Sequence, residues 1–311
     1  MRRPAARRGI PIVVALLLLH PFFMQRAAAQ TPQNPTQGPT AEAPKKQAPP
    51  LFPRHRRGIY LNNDKIEVID ATPQSPPLDI DDPGVPDKGE FEINLLTAAD
   101  FSDDLRKIEM LRVDANYGVV LKSFGHELPT QLKFEIPIVA ARAGGNPYEI
   151  GMGGAAFGLK FNFYNDENRG LRLSIYPQLE FATSGSAEKD LAEKGQTIVV
   201  PLLLSKESKL MTLAANAAIE KPVHDAGRDA TGELSVGAGR AFFRKLAVMG
   251  DLHGESTFDF KRDRRISIDG GVIYGVRKII WYARLGHTLL SDEGQHTFFA
   301  VGMKFLIDTR D

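Results

Sequence analysis

The 311-residue sequence predicts an all-β protein: a closed antiparallel transmembrane β-barrel of about twelve strands, preceded by a signal peptide and a Pro-rich periplasmic arm. Three observations carry that expectation. From about residue 90 onward apolar residues recur at every second position, the period of a half-buried strand. The connections between these segments alternate between longer and shorter, and the first thirty residues have the build of an export signal.

The export signal comes first in the chain. Arg2, Arg3, Arg7 and Arg8 precede an apolar run from Ile10 to Met24, which ends near the small residues Ala27, Ala28 and Ala29. A basic segment, an apolar segment and a small-residue cleavage site together read as a signal peptide over 1–29. A membrane anchor is the alternative, but His20 and Pro21 interrupt the run, and it falls short of the roughly 20 apolar residues a spanning helix needs. Cleavage after Ala29 would remove five arginines and no acidic residue, which moves the formal charge from +1 to −4. There is no cysteine, so a lipid-modified N-terminal Cys, a disulfide framework, a thiolate metal site and a Cys nucleophile are all excluded.

Twelve of the 21 prolines lie between Gln30 and Gly89, mixed with Gln, Thr and charged residues. Such a composition cannot bury enough apolar surface to fold alone, so 30–89 is expected to be an extended periplasmic linker. Within it, Ile59-Tyr60-Leu61 and Lys65-Ile66-Glu67-Val68-Ile69 alternate well enough for a small hairpin around Asn62-Asn63-Asp64. Whether that stretch docks on the barrel or enters its lumen stays open in the sequence. The cluster Arg54-His55-Arg56-Arg57 could grip anionic headgroups, but a solvated charge run is the simpler reading.

The barrel is expected over 90–307, with a tail at 308–311. Phe91, Ile93 and Leu95 alternate with Glu92 and Asn94; Leu111, Val113, Ala115 and Tyr117 alternate with Arg112, Asp114 and Asn116. The beat returns in Leu132, Phe134 and Ile136 against Lys133 and Glu135, and in Leu171, Leu173, Ile175, Leu179 and Phe181 against Arg172, Ser174, Tyr176, Gln178 and Glu180. Strands are expected near 90–97, 108–118, 130–139, 152–164, 170–182, 197–205, 208–220, 231–241, 245–258, 264–276, 278–290 and 296–307. An even number suits a bacterial single-chain barrel. With the N-terminus in the periplasm, the outward connections 98–107, 140–151, 183–196, 221–230, 259–263 and 291–295 are the longer ones; only the turn at Phe124-Gly125-His126 is long on the other side. Aromatics such as Phe91, Tyr117, Tyr148, Phe163, Tyr164, Phe181, Phe242, Phe243, Phe258, Trp281 and Phe305 cluster at strand ends. Interface girdles would look like this, although plain β-propensity also favours them.

Several of these stretches resemble an outer-membrane family, labelled putative MetA-pathway of phenol degradation and often described as transporters. They are Pro86-Asp87-Lys88-Gly89-Glu90-Phe91-Glu92-Ile93-Asn94, Asp114-Ala115-Asn116-Tyr117-Gly118, Gln131-Leu132-Lys133-Phe134-Glu135-Ile136-Pro137, Gly158-Leu159-Lys160-Phe161 and Ile175-Tyr176-Pro177-Gln178-Leu179-Glu180-Phe181. The chain departs from that family in two places. Ile138 stands where members tend to carry Trp, and Phe305 is followed by six residues where members tend to end on an aromatic. The resemblance implies a transporter-like barrel and brings no catalytic residue.

Period two assigns a set of lumen-lining candidates: Glu92, Asn94, Arg112, Asp114, Asn116, Lys133, Glu135, Lys160, Arg172, Gln178, Glu180, Asp251, His253, Glu255 and Asp269. Both signs occur, which favours cross-strand pairing over a ring of one sign. Catalysis is not expected. Asp251, His253 and Glu255 share a face, but Ser256 lies on the other one, so a hydrolase ranks third. His224, His253, His287 and His296 show no ligand spacing, and Gly151-Met152-Gly153-Gly154 lacks the Lys-Ser/Thr of a phosphate loop, so no metal or cofactor is expected. The leading expectation is a passive channel or uptake pore for small solutes, apolar or aromatic ones among them. The alternative is a structural or adaptor barrel whose arm, 30–89, binds a periplasmic partner. Outer-membrane lipid is the expected surroundings, and no nucleic acid is expected as a partner.

Overall fold

The computed structural model describes residues 60–61, 64–65 and 68–309, apart from 103–104, 124, 144–145, 209, 224–227, 277 and 293. The signal peptide, residues 30–59 of the arm and the arginine cluster at 54–57 lie outside the described residues. Twelve antiparallel strands form one closed ring. They are β1 Glu90–Phe101, β2 Leu105–Ser123, β3 His126–Ala143, β4 Glu149–Met152 continued by Gly154–Asp166, β5 Leu171–Ile175 continued by Gln178–Ala182, and β6 Gln196–Glu207. There follow β7 Thr212–Val223, β8 Thr231–Phe243, β9 Leu246–Thr257, β10 Arg265–Val276, β11 Ile279–Ser291 and β12 Thr297–Asp308. Each pairs with its sequence neighbours, and β12 closes on β1 from Thr297 opposite Phe101 to Asp308 opposite Glu90. No helix among the described residues is long and apolar enough to cross a membrane.

Alternation explains why these residues make strands. In β6, Thr197, Val199, Leu203 and Ser205 are buried, while Ile198, Val200, Leu202 and Leu204 between them are 36–49 % exposed on the outer face. Exposed aliphatic side chains continue around the ring in Leu234, Val236, Leu252, Ile268, Leu285 and Val301. An apolar band facing outward from a ring with no free edge is the arrangement that satisfies every backbone group inside a bilayer.

The strands are longer than expected. β2 and β3 run to Ser123 and His126, so the turn at 124–125 is short, and the exception to the sorting of connections by length moves from there to the loop after β1. The loop after β1 is likewise confined to 102–104 rather than 98–107, because pairing continues through Phe101 opposite Arg106. β12 includes Asp308, held by pairing with Glu90, so the tail begins at Thr309. A bulge on β2 between Glu109 and Leu111 resets which side chains face inward. That is why Glu109 and Arg112, three apart on one strand, meet inside the ring.

Residues 68–89 do not form the solvated linker expected of them. They run inside the barrel. Val68, Ile69, Ala71, Leu78 and Ile80 are at most 4 % exposed, packed with Leu96, Ala214, Ala241, Ala247, Met249, Ile273 and Tyr282 of the wall. The composition is indeed too poor to fold alone, but the wall supplies the apolar partners that the segment lacks. Prolines at 73, 76, 77, 83 and 86 also reduce the number of backbone N–H groups needing partners away from water. Before this segment, Tyr60–Leu61 pairs with Asp64–Lys65 as a two-residue antiparallel ladder.

Candidate functional site

The lumen is filled from the end where β1 begins and β12 stops, called here the terminal end. The Ile69 N–H donates to the Arg244 carbonyl in the terminal-end turn between β8 and β9 (2.9 Å), which marks where the segment enters. It rises past Ala71 and Pro73 along β8, reaches its tip near Asp79, and descends along β4 and β2 to Gly89, whose N–H donates to the Gly118 carbonyl (2.9 Å). Glycines on the wall make room for it. A Cβ on Gly239 would lie 1.9 Å from the Ala71 carbonyl oxygen, and one on Gly118 would lie 2.1 Å from that of Asp87. At both places the backbones touch, so no side chain fits between them.

Charged groups on the wall fasten the segment at three heights. The Arg284 guanidinium on β11 grips both carboxylate oxygens of Asp79 and also donates through Nε to Asp269 Oδ1 at 2.8 Å. Burial pushes the Asp79 carboxyl up, but Arg284 pulls it down further, and it ends below the usual carboxylate range. Lys304 Nζ on β12 donates to Gln74 Oε1 at 2.7 Å and pairs with Glu92 at 3.0 Å. On the descending side, Lys160 Nζ donates to the Asp82 carbonyl at 2.8 Å, while Asn162 Nδ2 (3.1 Å) and Ser174 Oγ (2.5 Å) donate to the Pro83 carbonyl. Asp81 is raised above its ordinary value by burial, against the pull of Lys160 and Lys133.

The fifteen lining candidates fall into three groups. Near the descending segment, Asp114 accepts from Asn94 Nδ2 and Asn116 Nδ2, both at 3.1 Å, and Gln131 Nε2 donates to Asn116 Oδ1 at 2.6 Å. Glu109, Arg112, Glu135 and Lys133 form a chain of alternating sign, with Arg112 to Glu135 at 3.5 Å and Lys133 to Glu135 at 2.9 Å. Lys133 and Lys160 also lie over the fully buried Tyr176 ring. Arg172 reaches Glu207 at 3.9 Å, and Gln178 and Glu180 line open space near the tip. Asp251 stands opposite Asp269 in the β9–β10 register, and Glu255 pairs with Arg265 at 3.1 Å.

Sequence reasoning missed Arg284, Lys304, Tyr176, Glu220, Glu233 and Ser235. Arg284, Lys304, Glu220 and Glu233 lie on inner-facing positions of expected strands, so the same alternation could have found them. Asp79 carried no signal, because nothing in a Pro-rich stretch announces a partner more than 200 residues away. His253 Nδ1 is 2.8 Å from the Ser235 hydroxyl, its cross-strand neighbour, and not from Ser256, which the alternation correctly places on another face. The interior is also less uniformly polar than expected. The apolar wall residues packed on the segment form a sleeve matched to it, and the charged lining dominates toward the other end.

Above the tip, at the loop end, space remains. One cavity of about 480 Å³ is lined by Glu220, Arg228, Glu233, Glu255, Arg262 and Arg265 among others, and a second of about 160 Å³ lies between Asp79, Asp81, Glu180, Glu220 and Glu233. The connection 183–195 turns back on the wall here, with Leu191 (1 % exposed) packed against Val139 and Ala141. A Cβ on Gly151 would come within 2.9 Å of Leu191, so that glycine seats the loop.

No family model and no curated protein matches the chain. Among solved structures, an outer membrane channel from Pseudomonas putida F1 superposes with a TM-score of 0.55 at 11 % identity, covering 72 % of this chain and 97 % of that one. The NanC porin gives 0.46 at 8 % identity over 68 % of this chain and 98 % of its own, and the CymD monoaromatic hydrocarbon channel gives 0.39 at 11 % over 73 % and 90 %. At such identity the first likeness is one of fold alone: this chain shares with that channel a closed antiparallel β-barrel.

Proposed function

We propose that the chain is exported, spans the outer membrane with its terminal end toward the periplasm, and acts as a passive channel for small solutes whose lumen its own residues 68–89 plug. The observation that carries this reading is the combination of a closed ring with an apolar outer band and a charged interior that stays open above the tip. The fifteen candidates divide the work. Those near the descending segment, Asp114, Lys133, Glu135 and Lys160, hold the plug or brace the wall around it. Gln178, Glu180 and Glu255 line the open path. The resemblance to the phenol-degradation family points to apolar or aromatic solutes, whereas the carboxylates and arginines of the upper cavity favour small polar ones.

Conductance in planar bilayers tests the channel. The intact protein should show small, rare openings, and replacement of residues 69–86 by a Gly-Ser linker should give larger, persistent ones. A folded, plugless barrel that never conducts would end the channel reading.

A further inference from the structure

Three adjacent strands bring carboxylates together on the wall of the open path. Glu233 on β8 stands directly opposite Glu255 on β9, and Glu220 on β7 is one rung away, opposite Thr231. One oxygen from each of the three lies within 4.8 Å of the other two. Like charges facing each other across strands are destabilising, so the group is relieved either by a proton shared between two of its carboxylates or by a compensating cation. Arginines supply only part of it. Arg228 reaches Glu220 at 3.4 Å and also pairs with Glu193, and Arg265 reaches Glu255 at 3.1 Å. Four carboxylates against two guanidiniums leave a formal excess of two negative charges. No Lys or Arg among the described residues forms an ion pair with Glu233.

The rungs on either side supply a separate observation. Thr231 is 7 % exposed, and its Oγ1 has no hydrogen-bond partner, although its side chain shares the inner face with Glu233 and lines the same cavity. On the rung below, Asn216 Oδ1 is also buried without a partner, beside the cavity that Glu220 and Glu233 share with it. Orphaned buried oxygens are costly and rare, and two of them bracket the carboxylate triad. Opposite Glu233 on β7 is Ala218, whose small side chain leaves the middle of the group uncrowded. Carboxylate, hydroxyl and amide oxygens with no nitrogen or sulfur ligand are a donor set for a hard cation.

We propose that Glu220, Glu233 and Glu255, flanked by Thr231 and Asn216, form a binding site for one oxygen-seeking divalent cation of the calcium type on the wall of the solute path. The cation takes up the excess charge of two, satisfies the orphaned oxygens and ties β7, β8 and β9 together at the loop end. The inference does not depend on conduction, because its readout is binding.

Calorimetric titration of the refolded full mature protein in detergent with calcium chloride tests it, beside matched titrations with magnesium and sodium chloride. Saturable binding of one calcium per chain is expected, weakened about tenfold or more in Glu233→Gln and by a smaller factor in Thr231→Val, which keeps the shape and drops the hydroxyl. Glu233→Gln removes a repulsive charge and should fold at least as well as the parent, as heat-modifiable gel mobility will show. Absence of saturable binding to the folded protein, affinity unchanged in both variants, or equal heats with sodium would each overturn the site.

Discussion

Replacing Gly239 with alanine should unseat the plug while leaving the barrel standing. The new Cβ would lie 1.9 Å from the Ala71 carbonyl oxygen and 3.3 Å from the Met249 Cβ, with backbone on one side and a packed strand on the other. Carbon and oxygen need roughly 3.3 Å, so Ala71 must retreat by more than about 1 Å from a well-packed sleeve. Overpacking of this kind costs about 1–3 kcal/mol, which shifts the balance between seated and unseated segment by roughly 5- to 150-fold. Because the chain has no cysteine, a single Thr72→Cys on the buried segment gives a clean probe: its maleimide labelling rate reports how often the plug leaves. Gly118→Ala, with its Cβ 2.1 Å from the Asp87 oxygen, should accelerate labelling to a similar degree. Gly271→Ala, 3.1 Å from the flexible end of Leu78, should do so weakly, and Gly270→Ala, with nothing within 4 Å, should have no effect. A Gly239→Ala barrel that is folded yet labels at the parental rate would refute the account of the seat. So would a Gly270→Ala barrel that labels as fast as Gly239→Ala.

Three other outcomes follow from the same geometry. Asp79 lies below its unfolded value, so its pairing with Arg284 contributes fully above the unfolded pKa and is lost as pH falls through the depressed one. Asp81 has the opposite sign, so the ratio of the Asp79→Asn labelling rate to the parental one, measured with a dipyridyl disulfide that still reacts with thiols in acid, isolates the Asp79 contribution; the ratio should exceed one at neutral pH and fall to one only in strong acid. Leu191→Ala should loosen the connection 183–195 at a cost of about 2–5 kcal/mol, seen as faster proteolysis there and larger conductance of a plugless barrel, and no change in either would count against the packed loop. Val236→Arg, 56 % exposed on the outer band, should cost about 2–4 kcal/mol in urea unfolding from lipid vesicles; a neutral effect would mean that this face does not meet hydrocarbon.

The barrel itself was legible because its rule is local. Side chains on a strand alternate between two faces, so Leu111, Val113 and Ala115 against Arg112, Asp114 and Asn116 announce a wall between two different media whatever the partners are. Loop lengths were also readable, up to errors at strand ends, where bulges such as the one near Met110 shift the alternation and pairing extends past the last clear apolar residue. The charged lining emerged from the same rule, which would also have included Arg284, Lys304, Glu220 and Glu233 had each strand been followed to its end.

What the amino acids decided alone was thus the closed wall, its two faces and the sign-mixed interior, since each follows from period two and a need to leave no backbone unpaired. Only the tertiary structure decided that residues 68–89 occupy the lumen and that Glu220, Glu233 and Glu255 converge. A segment poor in apolar residues becomes buried only when a curved wall surrounds it, and contacts such as Asp79 with Arg284 depend on ring closure that no local pattern encodes.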